Sequence, residues 1–198
     1  MSRKHSSYEK YYFKISRILR HSKQNKDWYV ETNYHLFAAI PLIREAFPDA
    51  LVFHIIRDGR DVVTSWLNRY RYITNNHMTP FHIHGDPAQD YWGKWNPLQK
   101  LSWYWKSVNN RVAQTGADMV IRFEDLFINN KNLIFDILDR FDGVDYIPEQ
   151  AKKMLEKKVN LNKKSFFPKY DQWPNIWKEQ FWEIAGKDME MSGYKCDL

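Results

Sequence analysis

The stretch FHIIRDGRDVVTSWLNR, residues 53–69, changes character at its middle. It begins inside LVFHIIR (51–57), an apolar, β-branched run of strand length. The run stops at Arg57, and Asp58, Gly59 and Arg60 form a charged turn. From about Asp61 the spacing predicts a helix. A strand that feeds a helix through a tight turn is the unit of an α/β layer fold.

In such sheets ligands sit beyond the carboxyl ends of the strands, and Arg57 stands at such an end. Gly59 permits a sharp turn, and Asp61 is a candidate cap for the helix. Free backbone N–H groups and the helix dipole favour an anion there. Ser65 and Arg69 follow Asp61 at four-residue steps, so the three share one helix face. Arg57, Ser65 and Arg69 therefore converge on one phosphate group, which an arginine fork suits through paired hydrogen bonds. The pattern equally fits a surface helix whose Arg and Asp side chains form exposed ion pairs.

Outward from this corner, HLFAAIPLIREAF (35–47) reads as a helix that tolerates or bends at Pro41, and DWYVE (27–31) is short and β-favouring. Residues 7–22 carry Tyr8, Tyr12, Ile15 and Leu19 at helical spacing. Residues 71–98 show little periodicity and read as a long excursion of the lid or binding-loop kind. Its neighbourhood holds Tyr70, Tyr72, Phe81, Tyr91, Trp92 and Trp95, which either line an acceptor pocket or simply pack. LSWYWKSVNNRVAQ (101–114) predicts a helix, and DMVIRF (118–123) a third strand. Leu126, Ile134, Ile137, Leu138 and Phe141 then share a helical face. A polar helix follows from Pro148, and a last one begins at NIWKEQF. Strands alternating with helices imply a mostly parallel sheet flanked by helices.

The 198 residues fit one domain, and 43% hydrophobic content supports a core. Two parts are expected: a basic helical segment, 1–26, and a domain over 27–198. The net charge of +6 lies entirely in residues 1–30, where eight Lys and Arg meet two acids. That segment suits an anionic ligand, nucleic acid or a membrane surface, or is simply a solvated helix face. No apolar run approaches the roughly 20 residues of a membrane span, and the N-terminus lacks a signal peptide's apolar stretch. The single cysteine, Cys196, cannot form an internal disulfide, so a reducing cytoplasm is the expected location. His77, His82, His84 and Asp86 match no zinc spacing, and a polar lid is the expected reading, with no metal.

HIIRDGRDVVTSWLNR resembles the 3′-phosphate-binding motif of sulfotransferases that use 3′-phosphoadenosine 5′-phosphosulfate (PAPS). In that family an arginine ends the strand and a serine eight residues on contacts the 3′-phosphate; Arg57 and Ser65 have that spacing. An arginine four further on helps in the protein-tyrosine branch, and Arg69 matches it. VIRFEDL (120–126) resembles the family's R-Y-E-x-L segment, with Phe123 for tyrosine. MEMSGY resembles its M-x-x-L-G-Y ending. In all, the resemblance spans about residues 28–194. It implies a P-loop-type sulfotransferase fold, PAPS as cofactor, and sulfuryl transfer to a hydroxyl or amine acceptor under the 71–98 excursion.

Two features depart from the family pattern. No glycine precedes Gly59, so nothing resembles the K/R-x-G-S/T-T turn that holds the 5′-phosphosulfate. A sheet without its first strand is therefore expected, with open edges that favour association. A truncated product, a partner chain or second copy supplying the strand, and a fold that only binds nucleotide all stay open. Where relatives often read E-K-T-P, this chain has Glu31 followed by Thr32. His35, 22 residues before Arg57, is the candidate base, near the position of the cytosolic branch's catalytic histidine. Lys169, in FPKYDQW, is a candidate for closing over the cofactor. The alternative function is a non-catalytic nucleotide- or polyanion-binding protein.

Overall fold

The computed structural model describes residues 30–32, 34–69, 79–130, 132–140, 147–156 and 166–197. The helix expected over 7–22, most of DWYVE, Tyr70, Tyr72 and His77 lie outside the described residues.

A short 3-10 helix, Tyr34–Ala38, leads into α1, Ile40–Ala46. Pro41 falls in the first turn of α1, where its missing N–H costs nothing. So the single helix expected over 35–47 is two pieces that meet just before the proline. Strand β1 is Phe53–Ile56, and α2, Gly59–Leu67, follows immediately. The described part of the excursion, from Thr79, forms 3-10 turns at Pro80–His82 and Pro87–Asp90.

Helix α3, Pro97–Thr115, starts four residues earlier than the periodicity predicts. Its start is set by a capping box. The Asn96 side chain accepts from the Gln99 N–H at 3.0 Å, and the Gln99 side chain accepts from the Asn96 N–H at 3.0 Å. Gly116, at φ 72°, ends the helix in a conformation that disfavours other residues. Strand β2, Met119–Arg122, lies parallel to β1, with Phe53 opposite Met119 and Ile56 opposite Arg122. The expected third strand is the second of a two-stranded parallel sheet among the described residues.

Asp118 fixes the register. Its carboxylate accepts from the Val52 N–H at 2.6 Å and from Arg44 at 2.9 Å, ahead of both strands. The Val52 N–H holds that carboxyl below its ordinary range.

After β2 the chain forms a π-helix, Asp125–Asn129, then α4, Leu133–Leu138. One continuous helical face was expected here. The break falls where asparagine amides compete with helix hydrogen bonding, as when Asn130 accepts from the Asn132 N–H at 3.2 Å. Leu126 and Ile137 still reach one cluster, with Ile121 of β2. Helix α5, Pro148–Glu156, and helix α6, Asn175–Met191, match the predicted positions.

The main core joins α2, α3 and α6 to the end of β1. Val63, Phe181, Ala185 and Met189 are fully buried there, beside Ile56, Trp105 and Tyr194. Full burial of one such large side chain contributes about 1.5–3 kcal/mol. A second cluster holds Trp92, Trp103 and Tyr104, with Trp95 packed against it. Trp92 meets Trp103 of α3 edge-on at 5.3 Å, so the excursion tryptophans Trp92 and Trp95 belong to packing. Phe81 and Tyr91 remain exposed.

Candidate functional site

Arg57 leaves the end of β1 with its guanidinium exposed. Its main chain is held from below, because the buried Trp105 indole donates to the Arg57 carbonyl at 3.1 Å. One nitrogen of its side chain donates to Asp61 at 2.9 Å, and the guanidinium lies 4.8 Å from the centre of the Phe123 ring. Phe123 stands where the resembled family reads tyrosine, and its ring lies beneath the Arg57 guanidinium.

Gly59 serves a different purpose from the expected turn, since its φ is not positive. A β-carbon there would stand 3.0 Å from both Met189 Sδ and the Trp105 ring. The glycine is what lets the first turn of α2 approach α3 and α6. The cap is also corrected. Asp58, not Asp61, caps α2, accepting from the Arg60 N–H at 2.9 Å. The Asp58 N–H in turn donates to Glu124 at 3.1 Å. Protein carboxylates thus already take the Asp58 and Arg60 N–H groups at the start of α2, two of the donors an anion there was expected to use.

Arg60 belongs to the fold. It donates to Asp58 at 2.7 Å, pairs with Asp197 at 2.8 Å, and lies over the Tyr170 and Trp182 rings. The Asp58 hydrogen bond pushes its ionisation further up than is usual for arginine. Ser65 sits half-buried in α2 one turn after Asp61. Arg69 falls beyond the helix, whose C-cap is Asn68, and its N–H turns back to the Trp66 carbonyl at 2.9 Å. The helical spacing that aligns Asp61 with Ser65 therefore stops short of Arg69. Among the described residues neither Ser65 nor Arg69 spends its side chain on a hydrogen bond or ion pair. Their donors remain available to a ligand.

Beside the corner lies a cavity of about 300 Å³ lined by Asp58, Asp61, Asp171 and Asp197 against Arg60 and Lys169, with Tyr170. Four carboxylates against two cations disfavour a phosphate inside it. Lys169 reaches this rim. The backbone of His35 lies in the 3-10 helix, and its side chain lies outside the described set. Asp86 is spent on structure, accepting from the Ala88 N–H at 2.9 Å and the Trp103 indole at 3.0 Å. No cluster of three potential metal ligands occurs among the described residues, and no described helix is long and apolar enough to cross a membrane.

Sequence reasoning missed Glu124. Its carboxylate accepts from the Asp58 N–H and, at 2.7 Å, from the Tyr194 hydroxyl. Burial foremost, then the Glu124 carboxylate, pushes the Tyr194 hydroxyl up from its ordinary range. The segments around 57, 124 and 194 each carried a family signature, and Glu124 joins them physically. A buried aromatic hydroxyl at the chain end and a glutamate after a strand were the available signals.

A family model described as the sulfotransferase family matches residues 4–147. The match holds the Arg57 corner and VIRFEDL; MEMSGY lies past its end. Comparison with curated proteins and with solved structures gave no match.

Proposed function

From the premise that this chain belongs to the sulfotransferase family, a family that implies a P-loop fold, we propose that it binds PAPS. Arg57, Ser65 and Arg69 hold the 3′-phosphate, and the acceptor is a hydroxyl or amine. The observation that carries the reading is the division of labour among the arginines. Arg60 is committed to Asp58 and Asp197, whereas Arg57 is exposed and the Ser65 and Arg69 side chains keep their donors. The fit with a phosphate is chemical: a guanidinium at the strand-to-helix corner, a hydroxyl on α2 and a second guanidinium just past the C-terminal end of that helix.

Bound PAPS supplies the sulfuryl group. The corner residues anchor the nucleotide end and so set where that group lies relative to an acceptor. His35 is the candidate for taking the acceptor's proton. Nucleotide binding without turnover is the second reading, favoured by the absence of any glycine before Gly59. On that second reading, anchoring the 3′-phosphate alone would leave the charge developing on the departing phosphate without its own donors. Losing even one such donor typically costs about 10²–10³ in rate.

Calorimetry with 3′-phosphoadenosine 5′-phosphate (PAP) tests the binding. Saturable binding that weakens by up to about 10- to 150-fold in Arg57→Ala is expected; binding unchanged in that variant overturns the assignment. Radiolabelled sulfate transfer to phenols, sugars and tyrosine peptides separates the two readings. Residues 1–198 alone are expected to show none above background, and turnover abolished by Arg57→Ala would establish the enzyme.

A further inference from the structure

The segment 166–172 runs along α2 as a strap. At one end, Asn68 Oδ1 accepts from the Phe166 N–H at 2.6 Å and the Phe167 N–H at 2.7 Å. Asn68 Nδ2 donates to the Thr64 carbonyl at 3.0 Å and the Phe167 carbonyl at 3.3 Å. At the other end, Tyr170 lies under Arg60, 5.0 Å from guanidinium to ring centre, and Lys169 faces the first turn of α2 across the cavity. Between them, the Phe167 ring stacks on Trp177 of α6 at 5.0 Å. The strap thus travels from the C-terminal end of α2 to its start.

Asn68 uses its full hydrogen-bonding capacity in this clasp, two donors and two acceptor positions. Aspartate lacks the donors, and glutamine carries its amide one carbon too far out. Asn68 lies three residues after Ser65 and immediately before Arg69. The turn that aims Arg69 is therefore the turn that holds the strap.

We infer that Asn68 is a positioning residue that couples docking of the 166–172 strap to the arrangement of Ser65 and Arg69, so that nucleotide binding and strap docking reinforce each other. This rests on the proposed 3′-phosphate role of those two residues. The coupling is reciprocal: whatever strap docking adds to nucleotide affinity, nucleotide adds to strap docking.

Hydrogen exchange at the Phe166 and Phe167 amides, with and without saturating PAP, reads the coupling in the unaltered chain. Exchange should slow about 10-fold, while the Ala88 amide, bonded to Asp86 away from α2, should not change. In Asn68→Ala, the preference for PAP over adenosine 5′-phosphate should fall at least about 5-fold, with adenosine 5′-phosphate affinity unchanged. A clasp that only stabilises the fold would lower the melting temperature and leave that preference intact. If Asn68→Ala does not fold, the exchange measurement decides alone. Amides indifferent to nucleotide in a chain that binds it, or an intact preference in Asn68→Ala, overturn the clasp while sparing the corner. No preference for PAP in the unaltered chain overturns both.

Discussion

The Glu124 carboxylate accepts the Tyr194 hydroxyl at 2.7 Å, closing the end of the chain onto the end of β2. The same hydroxyl passes 3.4 Å from the Ile56 carbonyl, but its one proton goes to the nearer, charged oxygen. With its other oxygen on the Asp58 N–H, Glu124 braces the corner that presents Arg57.

Tyr194→Phe should therefore destabilise the fold. It deletes a hydrogen bond to a charged group, a loss of about 1.5–3 kcal/mol. Urea unfolding of this variant, of Glu124→Gln and of the double variant measures the coupling. Additive losses would count against the brace.

Gly59→Ala should cost about 1–3 kcal/mol, because the added methyl has no room between the Trp105 ring and Met189. Gly93, with open space around its position, is the control: Gly93→Ala should unfold at nearly the unaltered denaturant concentration.

Arg57 and Arg60 should separate cleanly. Arg57→Ala removes an exposed ion pair worth about 0–1 kcal/mol and should weaken nucleotide binding by up to about 10- to 150-fold. Arg60→Ala leaves the largely buried Asp58 without its partner and should cost about 1–3 kcal/mol. Thermal unfolding and calorimetry on both variants give the comparison.

His54 sets an acid limit. It is buried, with Nε2 2.9 Å from Asn109 Oδ1, and burial lowers its pKa from the ordinary 6.5. The unfolded chain therefore binds this proton more readily. His54 stability is complete above pH 6.5 and falls away as the pH drops through the lowered folded value. One proton gives a slope of at most about 1.4 kcal/mol per pH unit. Denaturation from pH 7.5 to 5 should show this slope, and His54→Gln should flatten it.

What the sequence revealed follows from the reach of each interaction. β1, α2 and α6 were readable because period and composition are local. The start of α3 was written in Asn96, Pro97 and Gln99 but lies outside the apolar period. The long-range pieces were not readable. Asp58 caps α2 partly because Glu124, 66 residues away, secures its N–H. Gly59 is set by Trp105 and Met189, far along the chain. Asn68 reads as one more turn residue until Phe166 and Phe167 come back to it, 98 and 99 residues on. The Arg57, Ser65 and Arg69 spacing was visible, but Arg69's departure from α2 was not, because helical spacing carries no information past the cap.

The 3′-phosphate assignment is tested most directly by calorimetry of PAP against adenosine 5′-phosphate, which differ in that group alone. A charge-assisted contact is worth about 1.5–3 kcal/mol, so PAP should bind about 10- to 150-fold more tightly. Equal affinities would contradict the assignment of Arg57, Ser65 and Arg69.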